Sequence, residues 1–394
     1  MTPMKLKPLS LYLHIPFCEK RCDYCDFVSH DDSNSQIDNY VDALIGEISS
    51  YSSKCTKHAV ETIYFGGGTP SLLTTTQITK IFKSIREHFI ISETPEISIE
   101  CNPNSITAQK LKVYKELGIN RISLGVQSIN EIILNTLGRV HTKEQVEKAL
   151  KLIHEAGFDN VSIDFMYNIP IPADLANADI ARNVYGELNH ILTNFPFIKH
   201  ISPYALNVYE GTEIAKKLDF EQLYELNDDE AIGEEFEMMD ALKQHGFNRY
   251  EVSNWAKPGH ECKHNQVYWK VQREYLGLGL SSSGLFNNER YENTPDLNMY
   301  LLSTDKVAIR NPRSNIDIVN ETIMLGLRTK YGIDINTLKK LGVNLQQSKT
   351  HEILELANWG LLRVTKKSIK ATKDGLLLLN VVTAKLLMED GEGS

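Results

Sequence analysis

The sequence predicts an α/β fold, read from its residues as an open, incomplete barrel or a doubly wound sheet. Two observations carry this. Over the first two hundred residues, apolar runs of strand length alternate with segments of helical period. The residues that close those runs are glycines, amides and acids, and the carboxyl ends of strands are where barrels and open α/β sheets bind ligands.

The strand-like runs are Leu11–Ile15, Thr62–Phe65, Ile97–Glu100, Arg121–Val126, Val161–Phe165 and His200–Leu206. Between them the helical period predicts helices over Gln36–Tyr51, Thr76–His88, Thr107–Leu117, Thr142–Ala156 and Ile180–Thr193. Several begin after Thr or Ser, which can cap a helix start, and two stop at a glycine, Gly118 and Gly157. Strand–helix alternation at this spacing means βαβ units and a parallel sheet, here of six strands rather than eight. Beyond Leu206 the alternation fades. An acidic helix is predicted over Asn227–His245, then an aromatic, histidine-containing stretch, and Pro312 marks a boundary. Ile316–Leu327 reads as helix, and Glu352–Trp359, Leu361–Val364 and Gly375–Leu387 as a small helix–strand–helix module of winged-helix type.

The 394 residues are 42% hydrophobic and carry a formal charge of -9, which argues against a nucleic-acid binder with a basic footprint. No apolar run reaches the ~18 residues of a spanning helix, and no signal-peptide core precedes the first strand, so the cytoplasm is the expected location. Six cysteines in such a chain do not suggest a disulfide framework. Cys55, Cys101 and Cys262 are scattered and read as small buried hydrophobes.

Cys18, Cys22 and Cys25 are different: spaced C-x3-C-x2-C directly after the first strand, they can converge on one centre. A structural zinc site would need a fourth ligand, for which His14 and His30 are at hand. Three thiolates on an iron–sulfur cluster would leave one iron open. Tyr24 between two cysteines can shield such a centre. Gly66-Gly67-Gly68-Thr69-Pro70 follows the second strand and lets backbone groups approach a ligand, without the spacing of a phosphate loop. A small zwitterionic end fits it better than a polyphosphate. Glu100 and Asp164 are acids on apolar strands, costly unless paired or solvated and suited to ribose hydroxyls. Gln127 and Arg139 are candidate polar partners. His264, beside Tyr268 and Trp269, has the chemistry of a heme axial ligand, although a histidine beside aromatics is more often a packed or hydrogen-bonded core residue.

Together these motifs resemble the radical S-adenosylmethionine superfamily, its coproporphyrinogen III oxidase-like branch and, within that, the heme chaperone (HemW) family. The resemblance runs through Tyr12–Cys18, Phe65–Pro70, Ile99–Pro103, Arg121–Ser128, Leu137–His141, Tyr250–Asn254, Ala256–Gly259, His264–Trp269 and Met324–Arg328, nearly the whole chain. It implies a partial (β/α)6 TIM-like barrel with a C-terminal α+β extension that includes the winged-helix-like module. It implies that Cys18, Cys22 and Cys25 bind a [4Fe-4S] cluster whose open iron takes S-adenosylmethionine. Tyr12, Tyr24, Gly67, Gly68, Thr69, Glu100, Gln127, Arg139, Asp164 and Ala205 match positions that contact that ligand. Cleavage by the reduced cluster would yield methionine and a 5'-deoxyadenosyl radical. The His-Asn-x-x-Tyr-Trp run matches the family's heme motif and makes His264 the candidate heme residue.

Phe27 decides the subfamily, because the oxidases resemble C-x3-C-x2-C-x-C and would carry a cysteine there. The expected function is therefore a chaperone that binds heme and passes it to an acceptor such as a respiratory heme protein. The alternative is a coproporphyrinogen III dehydrogenase or another enzyme of the branch, such as a methyltransferase. A monomer or homodimer, without nucleic acid and with scope for peripheral membrane contact, fits either. Two departures stand out: Tyr167-Asn-Ile-Pro-Ile-Pro-Ala173 lacks two glycines usual in the family, and Gly277-Leu-Gly-Leu-Ser-Ser-Ser283 replaces Gly-Leu-Gly-x-Gly-Ala. The expected division is a core over 1–240, a connecting segment over 241–310 and a C-terminal domain over 311–394.

Overall fold

The computed structural model describes residues 6–30, 36–175 and 183–389. Six strands lie side by side in sequence order and all parallel: β1 (Lys7–Ile15), β2 (His58–Gly67), β3 (Ile91–Cys101), β4 (Arg121–Gln127), β5 (Asn160–Tyr167) and β6 (Ile198–Ala205). Each was anticipated within a few residues, apart from the first six residues of β3. Their sequences explain which way they face. Side chains alternate across a sheet. In β4, Ile122, Leu124 and Val126 are fully buried against the helices, so Arg121, Ser123, Gly125 and Gln127 point to the other face. The same parity sets Ile97 and Ile99 against Glu100, and Val161, Ile163 and Phe165 against Ser162 and Asp164.

The register lines these inward residues up, with Glu100 beside Ser123, Ser123 beside Ser162, and Ser162 beside His200. Residues of all six strands border one cavity, so the sheet wraps around it as an open barrel. The crossover helices have strong starts. Thr74 with Gln77, and Thr142 with Gln145, form reciprocal capping boxes for Thr75–His88 and Lys143–Glu155. The expected helix start at Ile180 lies outside the described residues; that helix is seen over Val184–Asn194.

Six further strands, none of them anticipated, extend both edges of the sheet. On the β6 side lie β7 (Asn248–Glu251) and β8 (Asn254–Ala256), with β8 antiparallel to β6. On the β1 side, β9 (Glu274–Leu278) runs parallel to β1, and β10 (Ser283–Phe286), β11 (Glu289–Asn293) and β12 (Val307–Pro312) follow antiparallel. Buried Glu47 fastens this added edge, accepting from Gly279 N at 2.8 Å, Tyr300 Oη at 2.7 Å and Asn293 Nδ2 at 2.7 Å. The altered Gly277–Ser283 segment thus turns beside β1 rather than within the cavity.

Residues after Pro312 have an apolar core of their own, from Val319 to Met388. A helix over Asn315–Leu327 packs on a three-stranded sheet of Ile333–Asp334, Leu362–Val364 and Ser368–Ala371. The last two strands form the hairpin that a winged-helix module requires, and Ser368–Ala371 escaped the sequence reading.

Candidate functional site

The cavity enclosed by the six strands has a volume of about 560 Å3, and it is lined by the three cysteines, by all ten residues matched to S-adenosylmethionine contacts and by His264, whereas the zinc candidates His14 and His30 and the heme-run residue Trp269 lie outside it. The cysteine loop forms one wall. It is pinned at both ends by backbone hydrogen bonds, Cys18 N to His30 O at 3.0 Å and Asp23 N to Leu137 O at 3.0 Å. Lys217 adds an ion pair to Asp23 at 2.6 Å. Tyr24 packs among Ile133, Leu137, Met166, Ile169, Ile171 and Ile214. The family-divergent segment after Tyr167 therefore contributes Ile169 and Ile171 to the packing beneath the loop.

The glycine run is shaped by that loop. Gly68 N donates to Ile15 O at 2.9 Å, and Thr69 N to Phe17 O at 2.8 Å. A Cβ on Gly68 would stand 2.8 Å from Phe17 O and 3.0 Å from the Cys18 sulfur, so no larger residue fits. Thr69 Oγ1 lies 3.7 Å from Cys18 Sγ, and Arg139 Nη1 3.4 Å from Cys22 Sγ. Asn102 joins the two, donating to Thr69 Oγ1 at 3.1 Å and accepting from Arg139 Nη2 at 2.9 Å. A polar chain thus connects two of the three sulfurs. Burial pushes the Cys18 thiol up to about 11, while Thr69 and Arg139 act the other way and favour its thiolate.

Opposite the cysteines stand the acids. Glu100 accepts from Tyr64 Oη at 2.9 Å and from Gly67 N at 3.1 Å; burial, with Asp164 nearby, pushes its carboxyl up to about 8. Asp164 accepts from Ser123 at 3.1 Å, and burial raises it to about 6. Tyr12 stacks on Tyr64, and burial pushes its phenol upward. Gln127 projects from a bulge in β4 with φ of 62°. Ala205 ends β6 at the rim. Phe27, 68% exposed, stands at the mouth.

His264 is 1% exposed, on the helix Lys263–Tyr268. Its Nδ1 pairs with Thr62 Oγ1 and its Nε2 with Tyr268 Oη, each at 2.8 Å, and the ring stacks on Tyr64. Burial lowers it to about 3, a neutral imidazole. Both ring nitrogens are occupied, so ligation of iron by His264 requires the Thr62 or the Tyr268 contact to open. Asn102, Ser123, Ser162, His200 and Ser202 also line the cavity and were not singled out from sequence. For Ser123, Ser162 and Ser202 the signal was the alternation of small polar with apolar residues along their strands.

Comparison with known proteins places this geometry. The Radical SAM superfamily profile matches residues 12–174, and that of the HemN C-terminal domain residues 314–378. The heme chaperone HemW of Lactococcus lactis is 33% identical, over 98% of this chain and 99% of its own. The heme chaperone HemW of Bacillus subtilis is 31% identical, over 96% and 99%, and that of Escherichia coli is 34% identical over 71% of each chain. Among solved structures, coproporphyrinogen III oxidase (HemN) from Escherichia coli, a radical SAM enzyme, superposes with a TM-score of 0.84. At 22% identity, over 98% of this chain and 92% of that one, it shares the fold.

The radical SAM core takes a [4Fe-4S] cluster and S-adenosylmethionine, and the residues present fit both. Three thiols face a cavity with room beside them for an organic ligand, and Gly68 keeps the space next to Cys18 clear. Neither His14 nor His30 lines the cavity, and among the described residues no three His, Cys, Asp or Glu gather as the ligands of a single ion. Matched over 99% of the Lactococcus lactis and Bacillus subtilis heme chaperones at 33% and 31% identity, and by the Radical SAM and HemN C-terminal profiles, the chain belongs to the heme chaperone HemW family of radical SAM proteins.

Proposed function

We propose that this protein is a heme chaperone that binds heme and transfers it to an acceptor, of which respiratory heme proteins are the class we favour. The observation that carries the reading is the likeness to heme chaperones across nearly the whole of both chains. Phe27 supports it, since the oxidase pattern would place a cysteine at that point. We assign the cluster to Cys18, Cys22 and Cys25. S-adenosylmethionine is assigned to Tyr12, Tyr24, Gly67, Gly68, Thr69, Glu100, Gln127, Arg139, Asp164 and Ala205. When bound, the two cofactors supply one-electron chemistry; the chain orients them and excludes water. Thr69 and Arg139 favour charge on the Cys18 sulfur, and Glu100 and Asp164 offer carboxyl oxygens to ammonium or hydroxyl groups.

For heme we assign the run His264–Trp269, with His264 as the residue whose role needs testing because both of its nitrogens are engaged. Six cysteines without a disulfide suit the reducing cytoplasm. No described helix is long and apolar enough to cross a membrane. The domain division at about residue 311 is supported by the separate core of the last eighty residues.

The test is anaerobic reconstitution followed by heme titration. A heme-dependent Soret band, with iron near the four per chain of one cluster, is expected. No band from a protein with a full cluster would overturn the chaperone assignment. Conversion of coproporphyrinogen III to a vinyl product by the same preparation would establish the enzymatic alternative.

A further inference from the structure

An exposed apolar band crosses from the sheet to the C-terminal module. It starts on the helix Asp228–Gln244, which buries Met238, Met239 and Leu242 and leaves Ile232 and Phe236 exposed. Lys373 of the module lays its ammonium over the Phe236 ring, 4.3 Å from the centroid. One turn further, where the helix Lys373–Leu377 meets the helix Leu379–Leu386, Leu377 and Leu378 stand exposed at the corner. Leu378, Val381 and Lys385 are spaced three and four residues apart and share one face. The opposite face of that helix, with Leu379, Val382 and Leu386, is buried. Lys385 ends the band over the ring of Trp359, 5.0 Å from its centroid, and pairs there with Glu355 at 2.6 Å. Trp359 itself is 55% exposed.

Apolar residues exposed singly need no explanation, but a contiguous run of them rimmed by charge marks an interaction surface. The distribution of charge along this band selects its occupant. The helix Asp228–Gln244 carries seven acids and one lysine, and Asp229 and Asp240 share the face of Ile232 and Phe236. The module is the reverse: from Lys339 to Lys385 nine lysines and arginines stand against three acids. The band therefore has an acidic end, an apolar middle and a basic end. An anionic membrane would attract one end and repel the other, and a protein face of one sign would meet the same conflict. A copy of this chain turned end for end meets none, because a twofold pairing sets each acidic half against a basic half, twice over. Aromatic anchors inside a charged rim suit such a contact.

We propose that this band is the interface of a twofold dimer, with the helix Asp228–Gln244 of one copy against Trp359 and the helix Leu379–Leu386 of the other. Asp229 and Asp240 then face Lys373 and Lys385 of the second copy. None of the band's residues lines the cluster cavity, so pairing leaves that lining as it is. The inference goes beyond the heme-chaperone reading and does not depend on it.

The test is sedimentation equilibrium of the full-length protein with its cluster reconstituted, over a concentration series at low and high salt. The expected result is a particle of twice the chain mass that dissociates on dilution and associates more weakly in high salt. Val381→Glu sets a charge in the apolar middle at an exposed position and should weaken association tenfold or more, with iron content and urea midpoint unchanged. Two charge-reversed proteins, Asp229→Lys with Asp240→Lys and Lys373→Glu with Lys385→Glu, should each lose self-association to the same degree. Mixed in equal amounts they should pair again, since both contacts of the mixed dimer are complementary, and a folding defect would not be rescued in that way. A monomer at every concentration, or a dimer indifferent to all three variants, would overturn the proposal. Loss in each charge-reversed protein without rescue in the mixture would overturn the end-for-end arrangement. Cosedimentation of a monomer with phosphatidylglycerol vesicles that Val381→Glu abolishes would overturn it in favour of a membrane.

Discussion

Gln127 holds a backbone conformation that non-glycine residues avoid, with φ of 62° at the end of β4. Such strain costs on the order of 1–3 kcal/mol and persists where the surroundings impose it, commonly at functional sites. Here it turns the Gln127 side chain into the cavity from a strand whose register slips between Gly125 and Gln127. Gln127→Gly should therefore leave stability unchanged or raise it by up to ~1 kcal/mol, while weakening S-adenosylmethionine binding several-fold. Urea unfolding and equilibrium dialysis read the two effects separately. A large loss of stability would mean that Gln127 is a packing residue. At this scale the sequence was informative where chemistry is concentrated, because cysteines in a short loop, an acid closing an apolar run and a triple glycine each stand out alone. Asn102 was not legible. Its importance lies in bridging Arg139 and Thr69, a relation among three separate segments that no local pattern encodes.

The six central strands and their helices were legible because each is long and strongly periodic, and because capping signals such as Thr74 and Thr142 precede the helices. The edge strands between Asn248 and Pro312 were not. They are three to six residues long, rich in Asn, Glu and Arg, and are specified by partners far away in sequence, as β9 is by β1. The joint between the cysteine loop and the glycine run is an element-level device of the same kind. Its two backbone hydrogen bonds require Gly68 to pass within contact distance of Phe17 O and Cys18 Sγ. Gly68→Ala should push the two segments apart and lose most of the cluster iron, with at most ~1–3 kcal/mol lost from global stability. Iron analysis after anaerobic reconstitution, with far-UV circular dichroism as the control for folding, checks this. Full iron retention would show that the loop tolerates displacement.

Across the whole molecule, the cost of enclosing polar cavities appears as opposing proton linkages. Burial raises Glu47 and Glu251 to about 7 and Glu100 to about 8, so the folded chain keeps protons that the unfolded chain releases near pH 4.5. These groups make stability fall as pH rises, by up to about 1.4 kcal/mol per pH unit for each. Burial lowers His14 and His141 to about 4 and His264 to about 3, and His200 well below its ordinary value. Histidines of this kind make stability rise with pH until about 6.5, where the unfolded chain also loses the proton. Below pH 6.5 the two sets oppose each other; above it only the carboxyls still titrate. The cofactor-free protein should therefore lose stability between pH 6.5 and 8, and urea midpoints across that range measure the loss. Glu47 lies away from the cluster cavity, fastening the added edge of the sheet, so Glu47→Gln can remove one linkage without touching that site. That variant should show a shallower decline above pH 6.5 than the wild type. A wild-type midpoint that climbs toward pH 8, or an unchanged slope in Glu47→Gln, would show that Glu47 is ionised in the fold and that its three donors outweigh its burial.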